Sequence, residues 1–288
     1  MKQIKYLFQF IIVILFFLIF KILGLKISKI ISSFIFKKIG PLFRSRIISD
    51  ANLKKVFNKL DSSQRKEIIN NMWANYGKIF AEYMFMDKFR NSTKFQNKII
   101  IENQEELNKV KSQSKPVIFI SGHFNNFELM AMHIEKSGIN LAAIYRPLNN
   151  KFLNPLMESI RKKYICKKQI KKGISGTKKL LEEYKKGSSI ALMIDQRVSE
   201  GVKCDFFGYN ALTTTIPAQF IKKYNLSVIP VYIERLHDEK FKLEISKSIQ
   251  FSKENSLEEI TSELNRILEQ MIIRNPDQWI WTHNRWKI

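Results

Sequence analysis

An apolar stretch at the start of the chain limits what the rest can fold into. Residues 4–25 read IKYLFQFIIVILFFLIFKILGL, 22 residues interrupted only by Lys5, Gln9 and Lys21. At about 1.5 Å per residue, such a helix can cross a hydrocarbon core of about 30 Å. A cleaved secretory signal would have a shorter apolar run and then small residues, whereas here Lys26, Ile27, Ser28 and Lys29 follow. The stretch is therefore expected to stay on the protein as a single-pass anchor. Lys21, Lys26, Lys29, Lys37, Lys38, Arg44 and Arg46 on its C-terminal flank outnumber Lys2 and Lys5, which predicts a cytoplasmic main body. Residues 26–46 alternate basic and apolar side chains, a pattern suited to a helix lying on an anionic leaflet.

Beyond the anchor, 288 residues with 45% hydrophobic and 26% charged side chains exclude a disordered chain and a multi-span membrane protein. The formal charge is +23, so non-specific partners should be anionic: nucleic acid, phospholipid headgroups or an acidic carrier protein. Only 11 of the 49 cations are Arg, and part of the excess can equally reflect biased amino-acid usage. No zinc finger, recognition helix or aromatic RNA-binding signature is present, which argues against a nucleic-acid binder. Cys166 and Cys204 lie in no metal-ligand or disulfide-scaffold spacing, so no metal is expected.

The remaining pattern alternates. Asp61-Ser62-Ser63-Gln64 reads as a helix start, followed by Ile68, Ile69, Met72, Tyr76, Ile79 and Phe80 at helical spacing. Residues 116–121, 141–145, 189–194 and 227–233 read as buried strands, and 126–136, 152–163, 175–186, 214–224 and 256–273 as helices. Alternation of this kind predicts an α/β fold: a central, mostly parallel sheet flanked by helices, preceded by the anchor helix and a helical region. The expected partition is an anchor at 1–25, a membrane-surface and helical region at 26–90, and an α/β domain at 91–288. Residues 26–288 could form one globular unit.

One junction carries chemistry. In Pro116-Val-Ile-Phe-Ile-Ser-Gly-His-Phe-Asn-Asn-Phe-Glu128 a strand ends at Ser121, Gly122 permits a tight turn, and His123 stands at the strand's C-terminal end. Asn125 or Asn126 can then cap a helix whose first turn holds Glu128. Ligands favour that edge of open α/β sheets. On one continuous helix His123 and Glu128 would point about 140° apart, but across a strand-turn-helix junction they can meet. A carboxylate on one imidazole nitrogen frees the other to take a proton from a hydroxyl. Asp195 ends the 189–194 strand with Gln196 and Arg197 beside it, addressed either to the same crevice or to a turn. Phe206-Phe207-Gly208 is expected against a ligand path or in the core, as aromatic runs more often are, the Thr213–Thr215 run at a helix cap, and Trp279, Trp281 and Trp286 in a membrane-interface belt or, by preference, in structural closure of the domain.

With these residues in view, the sequence resembles the bacterial late acyltransferases of lipid A biosynthesis, the lauroyl/myristoyl transferases, within the glycerolipid acyltransferase superfamily. His123-x4-Glu128 is similar to their H-x4-D/E signature. Further likenesses are Tyr145-Arg146-Pro147, Asp195-Gln196, Phe206-Phe207-Gly208 and the tail Asn275-Pro-Asp-Gln-Trp-Ile-Trp-Thr-His-Asn-Arg-Trp-Lys287. The tail departs from the expected His-Arg-Arg at Asn284. The resemblance implies transfer of a fatty acyl chain from acyl carrier protein to a hydroxyl of a lipid A precursor, at the cytoplasmic face of the inner membrane and among its phospholipids, with no cofactor. His123 would be the general base and Glu128 its orienting acid. Arg146, Arg161, Asp195 and Gln196 are assigned to substrate binding. The oxyanion donor is either the backbone N–H groups after His123 or Arg161. The lysine pairs 162–163, 167–168 and 171–172 suit an acidic carrier protein. Alternatives are an acyltransferase acting on a lysophospholipid, glycerol phosphate or another glycolipid, and a non-catalytic, membrane-anchored basic binding protein.

Overall fold

The computed structural model describes residues 2–43 and 46–287. Arg44, counted above in the basic flank, lies outside the described residues. Helix α1 (Lys2–Phe43) is followed by α2 (Arg46–Val56), α3 (Ser62–Glu82), a 3-10 turn at Tyr83–Phe85, α4 (Met86–Asn91) and α5 (Thr93–Gln96). Alternation then begins with β1 (Ile99–Glu102), α6 (Gln104–Gln113), β2 (Ile118–Ser121), α7 (Glu128–Lys136), β3 (Leu141–Tyr145) and α8 (Leu153–Ile160). A π-helical turn (Arg161–Ile165) extends α8 before β4 (Lys168–Lys171), α9 (Ile174–Lys185) and β5 (Ser189–Met193). After the hairpin β6 (Val202–Phe206) and β7 (Tyr209–Thr213) come α10 (Ile216–Tyr224), β8 (Val228–Arg235), β9 (Phe241–Ile245) and α11 (Leu257–Arg274).

Seven strands form one sheet in the order β1-β9-β8-β2-β5-β3-β4, parallel except for the β8–β9 pair. This is the mostly parallel α/β sheet that the alternation predicts. The central strands β2 and β5 are apolar runs because helices cover both faces, and every residue of β2 is buried. Strands β1, β4 and β9 escaped the sequence reading. β1 is only four residues long, and Lys168, Lys171 and Lys242 interrupt the apolar positions of β4 and β9. The hairpin turn places Phe207 at φ 58° and Gly208 at φ 75°, the two positive angles of a type I′ connection.

The helical region is tied to the sheet by buried polar contacts. Helix α3 starts where the sequence indicated, with a capping box between Asp61 and Gln64. At its other end Glu82 receives both arms of Arg235 from β8, at 2.7 and 3.0 Å. Asn126 Nδ2 donates to the same carboxylate at 2.8 Å, and Asn125 donates to Asn75 and Gln278. These contacts correct one expectation: the two asparagine side chains serve this network, and α7 has no side-chain cap. Thr213 likewise serves Arg285 and Asn265, and Thr215 stands at the α10 N-cap without a capping bond. Trp279, Trp281 and Phe206 are fully buried, as expected for closure of the domain.

Helix α1 is long and apolar enough to cross a membrane by length and composition. It breaks at Gly24, whose φ of 74° and ψ of 166° lie outside the helical region. The Ser28 hydroxyl makes hydrogen bonds to the Phe20 and Gly24 carbonyls at 3.0 and 2.7 Å, occupying acceptors beside the break. Removing one partner of the buried Glu82–Arg235 pair strands a charge. Glu82→Gln should therefore destabilise the fold by about 3–5 kcal/mol, measured as a fall in thermal midpoint; an unchanged midpoint would show that the pair does not hold α3 to the sheet.

Candidate active site

Strands β2 and β5 are parallel neighbours with Ser121 opposite Met193. Carried two residues further, that register sets His123 beside Asp195 at the C-terminal edge of the sheet. The Asp195 carboxylate is buried and fully engaged. Its Oδ1 meets His123 Nδ1 at 2.8 Å, and its Oδ2 accepts from the His123 backbone N–H at 2.8 Å and from Trp279 Nε1 at 2.9 Å. A side chain at position 122 would stand 3.2 Å from Asp195 Cβ and Cγ and 2.9 Å from the Phe124 ring, so glycine is what admits the carboxylate this close.

These contacts fix the imidazole. With Asp195 ionised, Nδ1 carries the proton and Nε2 is left as the acceptor nitrogen. The ring packs edge-on against Phe127 at 4.9 Å. Burial lowers the pKa of His123, but the Asp195 charge and hydrogen bond outweigh it and the net direction is upward. Asp195 moves the other way: burial would raise it, while the imidazole and the donors at 123 and 279 hold it down at about 2.

The partner of His123 is thus not the acid expected from the sequence. Glu128, the first residue of α7, accepts hydrogen bonds from the Tyr83 hydroxyl and from Arg161 Nε at 2.7 Å, and Arg161 Nη2 lies 2.6 Å away. No hydrogen bond joins Glu128 to His123 among the described residues. The reason is local: Asn125, at φ 40°, ends the turn so that α7 presents Glu128 to Tyr83 and to the π-helical turn carrying Arg161. The adjacent strand supplies the carboxylate on the ring instead. Glu128 still acts on His123 through space, its charge adding to the upward pull.

His123, Glu128, Arg146, Arg161 and Gln196 all line one open cleft of about 820 Å³. Asp195 lies behind its wall. Arg161 is half-buried with its guanidinium over the Tyr145 ring at 5.6 Å, and Arg146 stands exposed at the mouth. Ala143, Ile144, Leu192 and Ile280 give the cleft an apolar share. The arrangement brings together a proton acceptor, a charge-balanced guanidinium and an apolar wall, which suits acyl transfer to a hydroxyl.

Comparison with known proteins agrees with that chemistry. The family described as "Bacterial lipid A biosynthesis acyltransferase" matches residues 1–288, the whole chain. The chain belongs to this family. A relative, "Lipid A biosynthesis acyltransferase 2" of Shigella flexneri, is 23% identical over 254 residues, covering 84% of this chain and 78% of its own. The protein is therefore a lipid A acyltransferase, an enzyme whose acceptor is a lipid A precursor.

In this acyltransferase two functional residues escaped the sequence reading. Tyr83 carried no motif, and its role follows only from the packing of the 3-10 turn after α3 against α7. Trp279 was read as domain closure, yet its indole also holds Asp195. A carboxylate beside an imidazole stabilises the imidazolium, so its removal lowers the pKa of the base and moves the acid limb of kcat/KM to lower pH. Asp195→Asn should do this while reducing kcat by about 10²–10⁴-fold, whereas Glu128→Gln should shift the limb less. A pH–rate profile moved by Glu128→Gln and untouched by Asp195→Asn would contradict the assignment.

Proposed function

We propose that this acyltransferase moves a fatty acyl chain from the thioester of acyl carrier protein to a hydroxyl on an acyl chain of the lipid A precursor, at the cytoplasmic face of the inner membrane. The observation that carries the mechanism is the His123 Nδ1–Asp195 contact, which leaves Nε2 to receive the acceptor hydroxyl's proton. The alkoxide oxygen attacks the thioester carbonyl, and the tetrahedral intermediate expels the carrier's thiolate, which takes the proton back from the imidazolium. No acyl-enzyme is needed. Burial raises the pKa of both Cys166 and Cys204, the wrong direction for a nucleophilic thiolate.

Of the two oxyanion donors expected, Arg161 fits better. The N–H groups of Phe124, Asn125 and Asn126 are engaged with Gly122 O, Gln278 O and Asn125 Oδ1. Arg161 faces the cleft, aligned by Glu128 and Tyr83, and can place a guanidinium donor on the developing charge. Glu128 becomes the residue that positions Arg161. Arg146 and Gln196, on the cleft wall, remain for phosphates of the acceptor or of the carrier's phosphopantetheine. Lys162, Lys163 and Lys172 stand exposed close to the same rim, where they suit an acidic carrier.

The reading is tested by incubating the membrane-extracted enzyme with acyl carrier proteins bearing several chain lengths and a tetra-acylated lipid A precursor, and weighing the product. One added acyl chain is expected, with His123→Ala at least about 10²-fold slower and still folded. Wild-type turnover by His123→Ala would contradict the base. Transfer to lysophospholipid but not to the lipid A precursor would contradict the acceptor.

A further inference from the structure

The first limb of α1 does not stand clear of the body. Its inner face packs on Phe80 of α3 through Phe17 at 5.3 Å and Phe20 at 6.1 Å, and Phe36, beyond the Gly24 break, touches the same ring at 5.4 Å. Further out, Asn150 Nδ2 donates to the Tyr6 carbonyl at 2.9 Å and to Gln9 Oε1 at 3.2 Å. The Phe10 and Phe152 rings meet at 6.2 Å. Asn150 Oδ1 accepts from the N–H groups of Phe152 and Leu153, at 3.0 and 3.2 Å, so one buried side chain fixes both the start of α8 and the outer part of α1.

These contacts conflict with a limb that crosses the bilayer. Tyr6 lies 18 residues before Gly24, ~27 Å along a helix. A crossing limb would carry Asn149, Asn150 and Lys151 almost through the hydrocarbon, where polar loop backbone and a lysine are costly. Yet the outer face of the limb is unmistakably apolar. Ile4, Phe8, Ile11, Leu15, Leu18 and Ile22 recur at helical spacing and are each 47–84% exposed. Lys2, Lys5, Lys21 and Lys26 flank the stripe and are exposed, and the chain has no acidic residue before Asp50. An apolar stripe with lysines and no carboxylates is complementary to one leaflet of anionic phospholipid.

We propose that the Lys2–Gly24 limb stays docked on the catalytic body and lies along a single leaflet. Its outer stripe meets phospholipid acyl chains and its lysines meet headgroup phosphates. Because Arg146, Pro147, Leu148 and Asn149 line the cleft and Asn150 grips α1, the cleft then opens at the leaflet surface beside the limb, where lipid acyl chains can enter. This placement rests on the reading of the protein as an enzyme of lipid substrates, and it replaces the single-pass expectation with attachment from one side.

The test uses the full-length enzyme in vesicles containing phosphatidylglycerol. A fluorophore on Leu15→Cys should be quenched more by headgroup-proximal than by chain-end nitroxide lipids, since a crossing limb would put position 15 near the bilayer centre. A membrane-impermeant maleimide should label Gln3→Cys from the same side as Lys186→Cys. A short bifunctional maleimide should join Tyr6→Cys to Lys151→Cys in the membrane, a pair that leaves the Asn150 side chain and its bonds to α1 in place. Chain-end quenching, labelling of Gln3→Cys from the opposite side only, or a missing cross-link in protein that labels at Lys186→Cys would overturn the proposal, as would a Leu15 probe untouched by either lipid. Acyl transfer assayed on the same vesicles keeps the two readings apart: a docked, shallow limb with no lipid A acylation counts against the function alone.

Discussion

The site depends on the pairing of β2 with β5. Because the two strands run parallel with Ser121 against Met193, their C-terminal ends release His123 and Asp195 at the same level. The carboxylate can then take both the backbone and the ring of one residue. Moving the register by one residue would turn Asp195 to the other face. Burial penalises both charges, and only their mutual contact, with Trp279 as a third donor, makes the ionised Asp195 tolerable there.

A second charge pair stands across the same cleft with a different task. Glu128, Arg161 and Tyr83 form a closed set of hydrogen bonds, so the guanidinium is aligned before any substrate arrives. His123 and Arg161 thus each have a carboxylate of their own, Asp195 and Glu128. The imidazole keeps a partner that stays ionised, and the arginine keeps one that holds its guanidinium in place on the cleft wall. Arg146, by contrast, stands exposed at the mouth of the cleft.

Much of this was legible in the amino-acid order, and the limits have physical causes. The apolar runs at 116–121, 141–145, 189–194 and 227–233 announced an α/β sheet because strands covered on both sides are continuously apolar. Strands β1, β4 and β9 sit toward the sheet's edges, β1 only four residues long and β4 and β9 interrupted by lysines. His123 was visible from its Gly and strand end, and Asp195 from its own strand end. What no linear reading contains is strand order: β5 is the third strand of the sheet to follow β2 in the chain yet lies beside it in space. Glu128, five residues away in sequence, therefore looked like the nearer acid when Asp195, 72 residues away, was the one in contact. The lipid A acyltransferase family, suggested by the same motifs, holds over residues 1–288.

The most direct measurement is the proton on His123 Nδ1, followed by NMR in detergent-solubilised enzyme carrying ring-labelled histidine. A carboxylate hydrogen bond moves that proton far downfield and fixes the neutral Nδ1–H tautomer above the imidazole pKa, which the Asp195 charge, against the effect of burial, moves upward. The downfield resonance should vanish in Asp195→Asn and persist in Glu128→Gln. A resonance that survives Asp195→Asn and is lost in Glu128→Gln would contradict the account at its centre.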